Sequence, residues 1–121
     1  MDIQFEFLED EKILVIKGPK NYEISPDNTE NLKRSIDKLI ELNCYKCLID
    51  HRNKNLIIST MGPFSRSKIY KEYKLDRSIK YAWLIDEITE NVKFYQTVLL
   101  NRGWQVHMFT DYDQAIAWLN S

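Results

Sequence analysis

Apolar and polar residues alternate at the start of the chain, and this alternation predicts a half-buried strand over residues 3–8. Ile3, Phe5 and Phe7 would point to one face of that strand. The next apolar run, residues 13–16, is continuous, which suits a strand covered on both faces. Because only a short polar turn separates the two segments, we expect them to pair as an antiparallel hairpin.

A helical repeat follows the hairpin. Ser25 is a favourable N-cap, and Pro26 at the first helical position loses no hydrogen bond, so the pattern predicts that the first helix begins there. Asn43 would end this helix. One apolar stripe along the helix would consist of Leu32, Ile36, Leu39 and Ile40.

Strands and helices then alternate along the rest of the sequence. We predict a strand over 44–50, a helix over about 59–75, a strand over 79–85, a helix over 89–101, a strand over 104–109 and a last helix capped by Asp111. Gly103 would supply the left-handed residue after the third helix. The order is β-β-α-β-α-β-α-β-α. It predicts a single α/β domain over residues 1–121, with four helices and a five-stranded mixed sheet that is mostly parallel and has an antiparallel edge strand.

Composition narrows the class of protein. The chain has 121 residues, of which 44% are hydrophobic and 29% charged, a balance typical of a globular domain. Its net charge of −1 gives no basic excess for a nucleic acid. The first residues lead us to expect no secretory leader, the sequence contains no apolar run that could cross a bilayer, and its two cysteines fit a reducing compartment. We therefore expect a cytoplasmic protein with no membrane span and no nucleic-acid partner.

Charged residues follow the predicted strands at one edge of the sheet. In open α/β sheets, ligands bind beyond the carboxyl ends of the strands. Asp50, Arg52, Asp86 and Asp111 fall at that edge, and we take them as the candidate binding edge. Each also has a simpler role, because Asp111 can cap a helix and the others can be solvated or bonded to nearby backbone.

Patterns for catalysis are weak. Cys44 and Cys47 have the spacing of a redox pair, but they belong to a predicted strand and lack the helix N-terminus that this chemistry needs. With only 3 Gly, a glycine-built phosphate loop is excluded. We expect no catalytic residues, no metal site and no cofactor, and acid–base work by Asp50, His51 and Arg52 is the remaining enzymatic alternative.

Several motifs carry a family resemblance: the hairpin, the strand end Leu48-Ile49-Asp50, the pair Ser59-Thr60, and the run Phe94, Asn101-Arg102-Gly103, Val106, Phe109, Asp111, Ala115 and Trp118-Leu119. With these, essentially the whole chain resembles the SpoIIAA-like branch of the STAS superfamily. The resemblance implies a STAS-like fold, related in shape to anti-sigma factor antagonists and CRAL-TRIO lipid-transfer domains. In the antagonists a partner kinase phosphorylates a Ser or Thr at the start of the second helix, which implies Ser59 and Thr60 as candidate phosphoacceptors. The antagonist motif has Asp and Gly on either side, where this chain has Ile58 and Met61.

Two functions follow as expectations. The first is a non-catalytic, regulatory STAS-like module that binds a protein partner, with Phe64, Tyr70 and Tyr73 of the second helix as the contact surface. The alternative is a carrier or sensor of a small apolar or anionic ligand at the carboxyl edge, suggested by the lipid-carrier kinship and by 3 Trp, 7 Tyr and 5 Phe. The sequence leaves open a homodimer through a strand edge or an aromatic helix face.

Overall fold

The structure, a computed structural model, describes residues 3–121. Along these residues the elements are β1 (Gln4–Leu8), β2 (Ile13–Lys17), β3 (Asn21–Ile24), α1 (Glu30–Glu41), β4 (Lys46–Asp50), β5 (Asn55–Ile58), α2 (Gly62–Glu72), β6 (Lys80–Leu84), α3 (Glu90–Asn101), β7 (Gln105–Phe109) and α4 (Tyr112–Leu119). The predicted elements are all present, and two short strands, β3 and β5, are added to them. Every helix in the described part of the chain is too short or too polar to cross a bilayer.

Five strands form one mixed sheet in the order β1-β2-β4-β6-β7. β1 is antiparallel to β2 and the other neighbours are parallel, which confirms the predicted layout. In the register of the sheet, Ile16 lies beside Ile49, and Ile49 lies beside Trp83. This row of side chains faces the larger of two hydrophobic cores.

The helices cover the two faces of the sheet unequally. α1, α2 and α3 contribute Ile36, Tyr70 and Tyr95, among others, to the larger core. α4 alone supplies the helical side of the smaller core, through Ala115 and Leu119. The space between the sheet and α1–α3 is therefore the main interior of the molecule, and the site described below lies in it.

A second, two-stranded sheet was not predicted. β3 and β5 pair in parallel, with Tyr22 beside Leu56 and Ile24 beside Ile58. β3 alternates between apolar and polar residues in the sequence. Tyr22 and Ile24 are buried, whereas Asn21 and Glu23 are exposed. Both strands have only four residues, however, and they pair across the whole of α1 and β4. Sequence periodicity does not reveal a pairing of such short segments over that distance.

The predicted start of the first helix is wrong. Its N-cap is Thr29, and the helix begins one residue later. Ser25 and Pro26 form a turn in which the carbonyl of Ser25 accepts a hydrogen bond from the N–H of Asn28 at 3.2 Å. Proline fits the second position of a β-turn as well as it fits the first turn of a helix, so the dipeptide alone does not separate the two.

Four other helix boundaries agree with the predictions. Asn43 has φ of 50° just after α1, and Gly103 has φ of 89° just after α3, so both adopt the left-handed conformation expected there. Thr89 and Asp111 are the N-caps of α3 and α4, and each side chain accepts a hydrogen bond from the backbone N–H three residues further on. These caps satisfy helix N–H groups that have no partner inside the helix.

Candidate ligand-binding site

A cavity of about 40 Å³ lies between α1, α2 and the face of the large sheet. Its walls are mostly apolar, contributed by Ile3, Ile16, Leu32, Ile36 and Leu39. Ile49 also lines it and is not fully buried, although β4 is the central strand of the sheet. Gly18 and His51, which directly follow β2 and β4, line the same cavity. The cavity thus extends to the carboxyl edge of the sheet, where ligands of open α/β sheets bind.

Arg66 of α2 brings a positive charge to this cavity although its exposed fraction is only 7%. Its Nη2 donates a hydrogen bond to the hydroxyl of Tyr22 at 2.8 Å, and its Nη1 donates one to the hydroxyl of Tyr95 at 3.3 Å. Within residues 3–121, the ion pairs join other residues, and none reaches this guanidinium. A guanidinium stays protonated at physiological pH, and burying a charge that has only neutral partners is costly.

His51 lies beside Arg66 in the interior. Its ring stacks on Tyr22, with the centroids 5.6 Å apart, and meets the edge of Trp83 at 4.5 Å. Both ring nitrogens are buried and lack a hydrogen-bond partner. Burial, and next the charge of Arg66, lower the pKa of His51 to about 3. The imidazole is therefore neutral at pH 7, with one nitrogen able to donate and the other able to accept.

Tyrosines complete the polar part of the cavity wall. Tyr81 lines the cavity, and its hydroxyl is buried without a hydrogen-bond partner. Tyr70 stacks on Tyr81 with 5.1 Å between the ring centroids. Burial raises the pKa of both phenols, so both stay protonated at neutral pH and can donate hydrogen bonds. The cavity therefore combines an apolar wall with several hydrogen-bond donors and one fixed positive charge.

The residues of the predicted binding edge form local hydrogen bonds. Asp50 accepts hydrogen bonds from Nε, Nη2 and the backbone N–H of Arg52, at 3.1, 3.0 and 3.0 Å. Burial by itself would raise the pKa of Asp50, but the hydrogen bonds from Arg52 outweigh burial and the pKa is lowered. Asp86 accepts from the backbone N–H of Asn53 at 2.7 Å, and Asp111 caps α4. The structure brings Asp50, Arg52 and Asp86 to one loop, but each of them already has a partner there.

The two candidate phosphoacceptors precede α2, whose N-cap is Met61. The backbone of Ser59 donates to the carbonyl of Ile24 at 2.9 Å, and its hydroxyl oxygen is buried without a partner. Thr60 is exposed. Of the pair, only Thr60 presents its side chain to solvent.

The predicted contact surface on α2 needs one correction. Tyr70 is 4% exposed and packs inside the molecule against Tyr81 and Trp104, so it is not available to a partner. The apolar residues of α2 do not form a clear stripe along one side of the helix. The sequence therefore did not show whether Tyr70 faces the interior or the solvent. Phe64 and Tyr73 are half-buried.

The cysteines have no redox arrangement. Both are buried and free, and the thiol of Cys44 donates to the carbonyl oxygens of Lys12 and Lys46. Cys47 lines the cavity, where burial above all raises the pKa of its thiol. Among the described residues, no group of three His, Cys, Asp or Glu side chains is arranged to hold a metal ion.

The sequence reasoning missed Arg66 as a site residue, although a signal was present. Arg66 precedes Ile69 and Tyr70 by three and four residues, so it shares a helix face with two buried side chains. A charged residue on a buried helix face is uncommon and often marks a function. His51 carried a weaker signal, because its place after a strand did not indicate that the ring turns inward.

A comparison with protein-family models, with curated proteins and with solved structures finds no match. The resemblance to the SpoIIAA-like branch therefore stays a prediction from motifs. Function has to be argued from the site itself.

Proposed function

We propose that this chain is a non-catalytic binding module that holds a small, partly apolar molecule in the cavity beside Arg66. The observation that carries the proposal is a buried guanidinium whose hydrogen bonds go only to two neutral hydroxyls, beside a cavity whose walls are mostly apolar. Binding sites for small molecules have this character, with an apolar lining and a few placed polar groups that orient the ligand.

The state of the cavity side chains favours binding over chemistry. The imidazole of His51 is a weak base, because its pKa is lowered to about 3. The thiol of Cys47 is held in its protonated form by burial. Asp50, the carboxylate at the end of β4, already accepts hydrogen bonds from the side chain of Arg52. At neutral pH a general base or nucleophile needs a suitable protonation state and must not be held by another partner. None of these groups meets both conditions.

The size of the cavity limits the ligand. One water molecule needs roughly 10–15 Å³ of such space, so a cavity of about 40 Å³ admits a few water-sized groups. The ligand that fits is a short molecule.

A variant that fills the cavity tests the proposal. Ser35 lines the cavity from α1, and Ser35→Leu would place an apolar side chain in the space of the ligand. Lys33→Leu makes a matched change on the exposed face of the same helix. We expect a ligand found by screening short amphiphilic molecules to raise the melting temperature of the wild type and of Lys33→Leu by several degrees, since a ligand at 100 times its Kd stabilises by about 2.7 kcal/mol. Ser35→Leu should not respond.

Two results would count against this function. One is that no compound in the screen shifts the melting temperature or the amide resonances of the wild type. The other is that Ser35→Leu binds the same compound with unchanged affinity while its circular dichroism spectrum is that of the wild type.

Regulation through a protein partner is a second candidate, in line with the resemblance to the STAS superfamily. It is favoured by the exposure of two large apolar side chains next to Thr60, with Ile57 54% and Met61 57% exposed. Exposed apolar side chains of this size are common at interaction sites. We expect Met61→Ser to reduce partner recovery in a cross-linking experiment, and the exposed Leu100→Ser to serve as the control. Equal recovery by both variants would remove this candidate.

A further inference from the structure

We infer that the group recognised by Arg66 is the carboxylate of a short-chain aliphatic acid, whose hydrocarbon part lies against Ile16 and Ile36. This inference rests on the proposed function, because it names the ligand class of the same cavity. It is argued from charge, from hydrogen-bond donors and from size.

The charge of the cavity wall indicates the charge of the ligand. Arg66 is the positively charged residue of the cavity wall, and the other lining residues are apolar or neutral at pH 7. A monoanion would neutralise the guanidinium and offset the cost of its burial. A cation would be repelled, and a dianion such as a phosphate ester would leave one uncompensated negative charge in the interior, which is also costly.

The donors give the geometry of the polar group. A guanidinium has five N–H donors, two on each terminal nitrogen and one on Nε. The hydroxyls of Tyr22 and Tyr95 take one donor from each terminal nitrogen. One N–H on each of Nη1 and Nη2 then remains for another acceptor, and a carboxylate binds two such donors at once.

Independent evidence comes from polar groups outside the guanidinium. His51 is 4% exposed and Tyr81 is 3% exposed, both line the cavity, and their nitrogens and hydroxyl have no partner. Buried polar atoms are normally hydrogen-bonded, so three such atoms at one cavity need an explanation. The neutral imidazole has one N–H and Tyr81 has one O–H, so a carboxylate would accept hydrogen bonds from two of these three atoms, while the other imidazole nitrogen is itself an acceptor.

The size and lining of the cavity set the length of the acid. A volume of about 40 Å³ is filled by the carboxylate and the first one or two carbons of the chain, and Ile16, Leu32 and Ile36 give them an apolar surface. A free acid of about two to four carbons fits this description. The carboxyl head of a long-chain fatty acid shares the chemistry, and the experiment separates the two by chain length.

The test is a titration followed by NMR amide shifts with butanoate, butanamide and butylammonium, and with dodecanoate as the long-chain acid. We expect wild-type protein to bind butanoate at least about tenfold more tightly than butanamide, because a hydrogen bond to a charged group contributes more than a neutral one. Butylammonium should not bind. Dodecanoate should bind more weakly than butanoate.

Two variants assign the preference to one residue. Arg66→Met keeps an unbranched side chain and removes the charge, so it should lose the tenfold preference while its butanamide affinity stays within about twofold. Arg52→Met makes the same change at the predicted carboxyl edge and should keep the preference. If Arg66→Met does not fold, the ligand series on the wild type still decides the inference.

The outcomes separate this inference from the proposed function. Equal affinity for butanoate and butanamide in the wild type overturns the carboxylate assignment but leaves a binding module in place. A preference that survives in Arg66→Met, or is lost in Arg52→Met, overturns the assignment to Arg66. Tighter binding of dodecanoate overturns the short-chain limit and points to a lipid acid. If neither this series nor the wider screen binds in the cavity, both the inference and the proposed function fail.

Discussion

At the scale of single residues, the molecule holds two polar side chains in an environment that suits neither of them. Arg66 keeps its charge in the interior, where its contacts are with the neutral side chains of Tyr22 and Tyr95. His51 binds a proton only weakly, because burial and the charge of Arg66 lower its pKa to about 3. A natural domain that keeps such costly groups commonly uses them, because stability is often lower where function requires unsatisfied groups.

His51 gives a pH-dependent prediction. Its folded pKa is about 3 against the ordinary 6.5, so below pH 6.5 the unfolded chain takes up a proton that the folded chain does not. The free energy of unfolding therefore falls as the pH drops from 6.5 towards 3, by about 2 kcal/mol at pH 5, since one pKa unit corresponds to about 1.4 kcal/mol. His51→Phe keeps an aromatic ring between Tyr22 and Trp83 and removes this loss.

Urea denaturation at pH 7 and pH 5 measures this effect. The wild type should lose about 2 kcal/mol more than His51→Phe between the two pH values. Parallel losses in the wild type and in His51→Phe would contradict the buried, neutral state of His51.

At the scale of secondary-structure elements, the site depends on how α2 lies against the small sheet. α2 carries Arg66 and β3 carries Tyr22, so the hydrogen bond between them links the helix to that sheet. The helix begins at Gly62, where an added Cβ would lie 2.5 Å from the carbonyl oxygen of Ile24. Glycine permits a contact between helix and strand that any other residue would prevent.

Gly62→Ala should therefore displace α2 from β3 and lower the free energy of unfolding by about 1–3 kcal/mol, the usual range for overpacking. Gly18→Ala is the matched control, because its Cβ would meet the ring of Tyr22 at an ordinary 3.8 Å. Urea denaturation compares the two variants. Equal stabilities would mean that the close approach of α2 to Ile24 is not a constraint.

At the scale of the whole molecule, the alternation of strand and helix predicted the five-stranded sheet and its antiparallel edge. That succeeded because each long element shows its own periodicity and parallel strands need helical crossovers. The small sheet and the cavity were missed for a related reason. Tyr22, His51, Arg66 and Tyr81 come from four separate parts of the chain, and only the packed structure brings them together. The charged residues predicted at the carboxyl edge pair with their neighbours, and the unpaired groups lie inside.

The central claim is that Arg66 holds a carboxylate in the cavity, and a crystal structure of the wild-type protein with butanoate tests it most directly. We expect the carboxylate oxygens to lie about 2.7–2.9 Å from Nη1 and Nη2 of Arg66, with the hydrocarbon chain against Ile16 and Ile36. The claim would be contradicted if butanoate at saturating concentration lay on the surface beside Lys17, Arg52 and Lys54 while the cavity held only water.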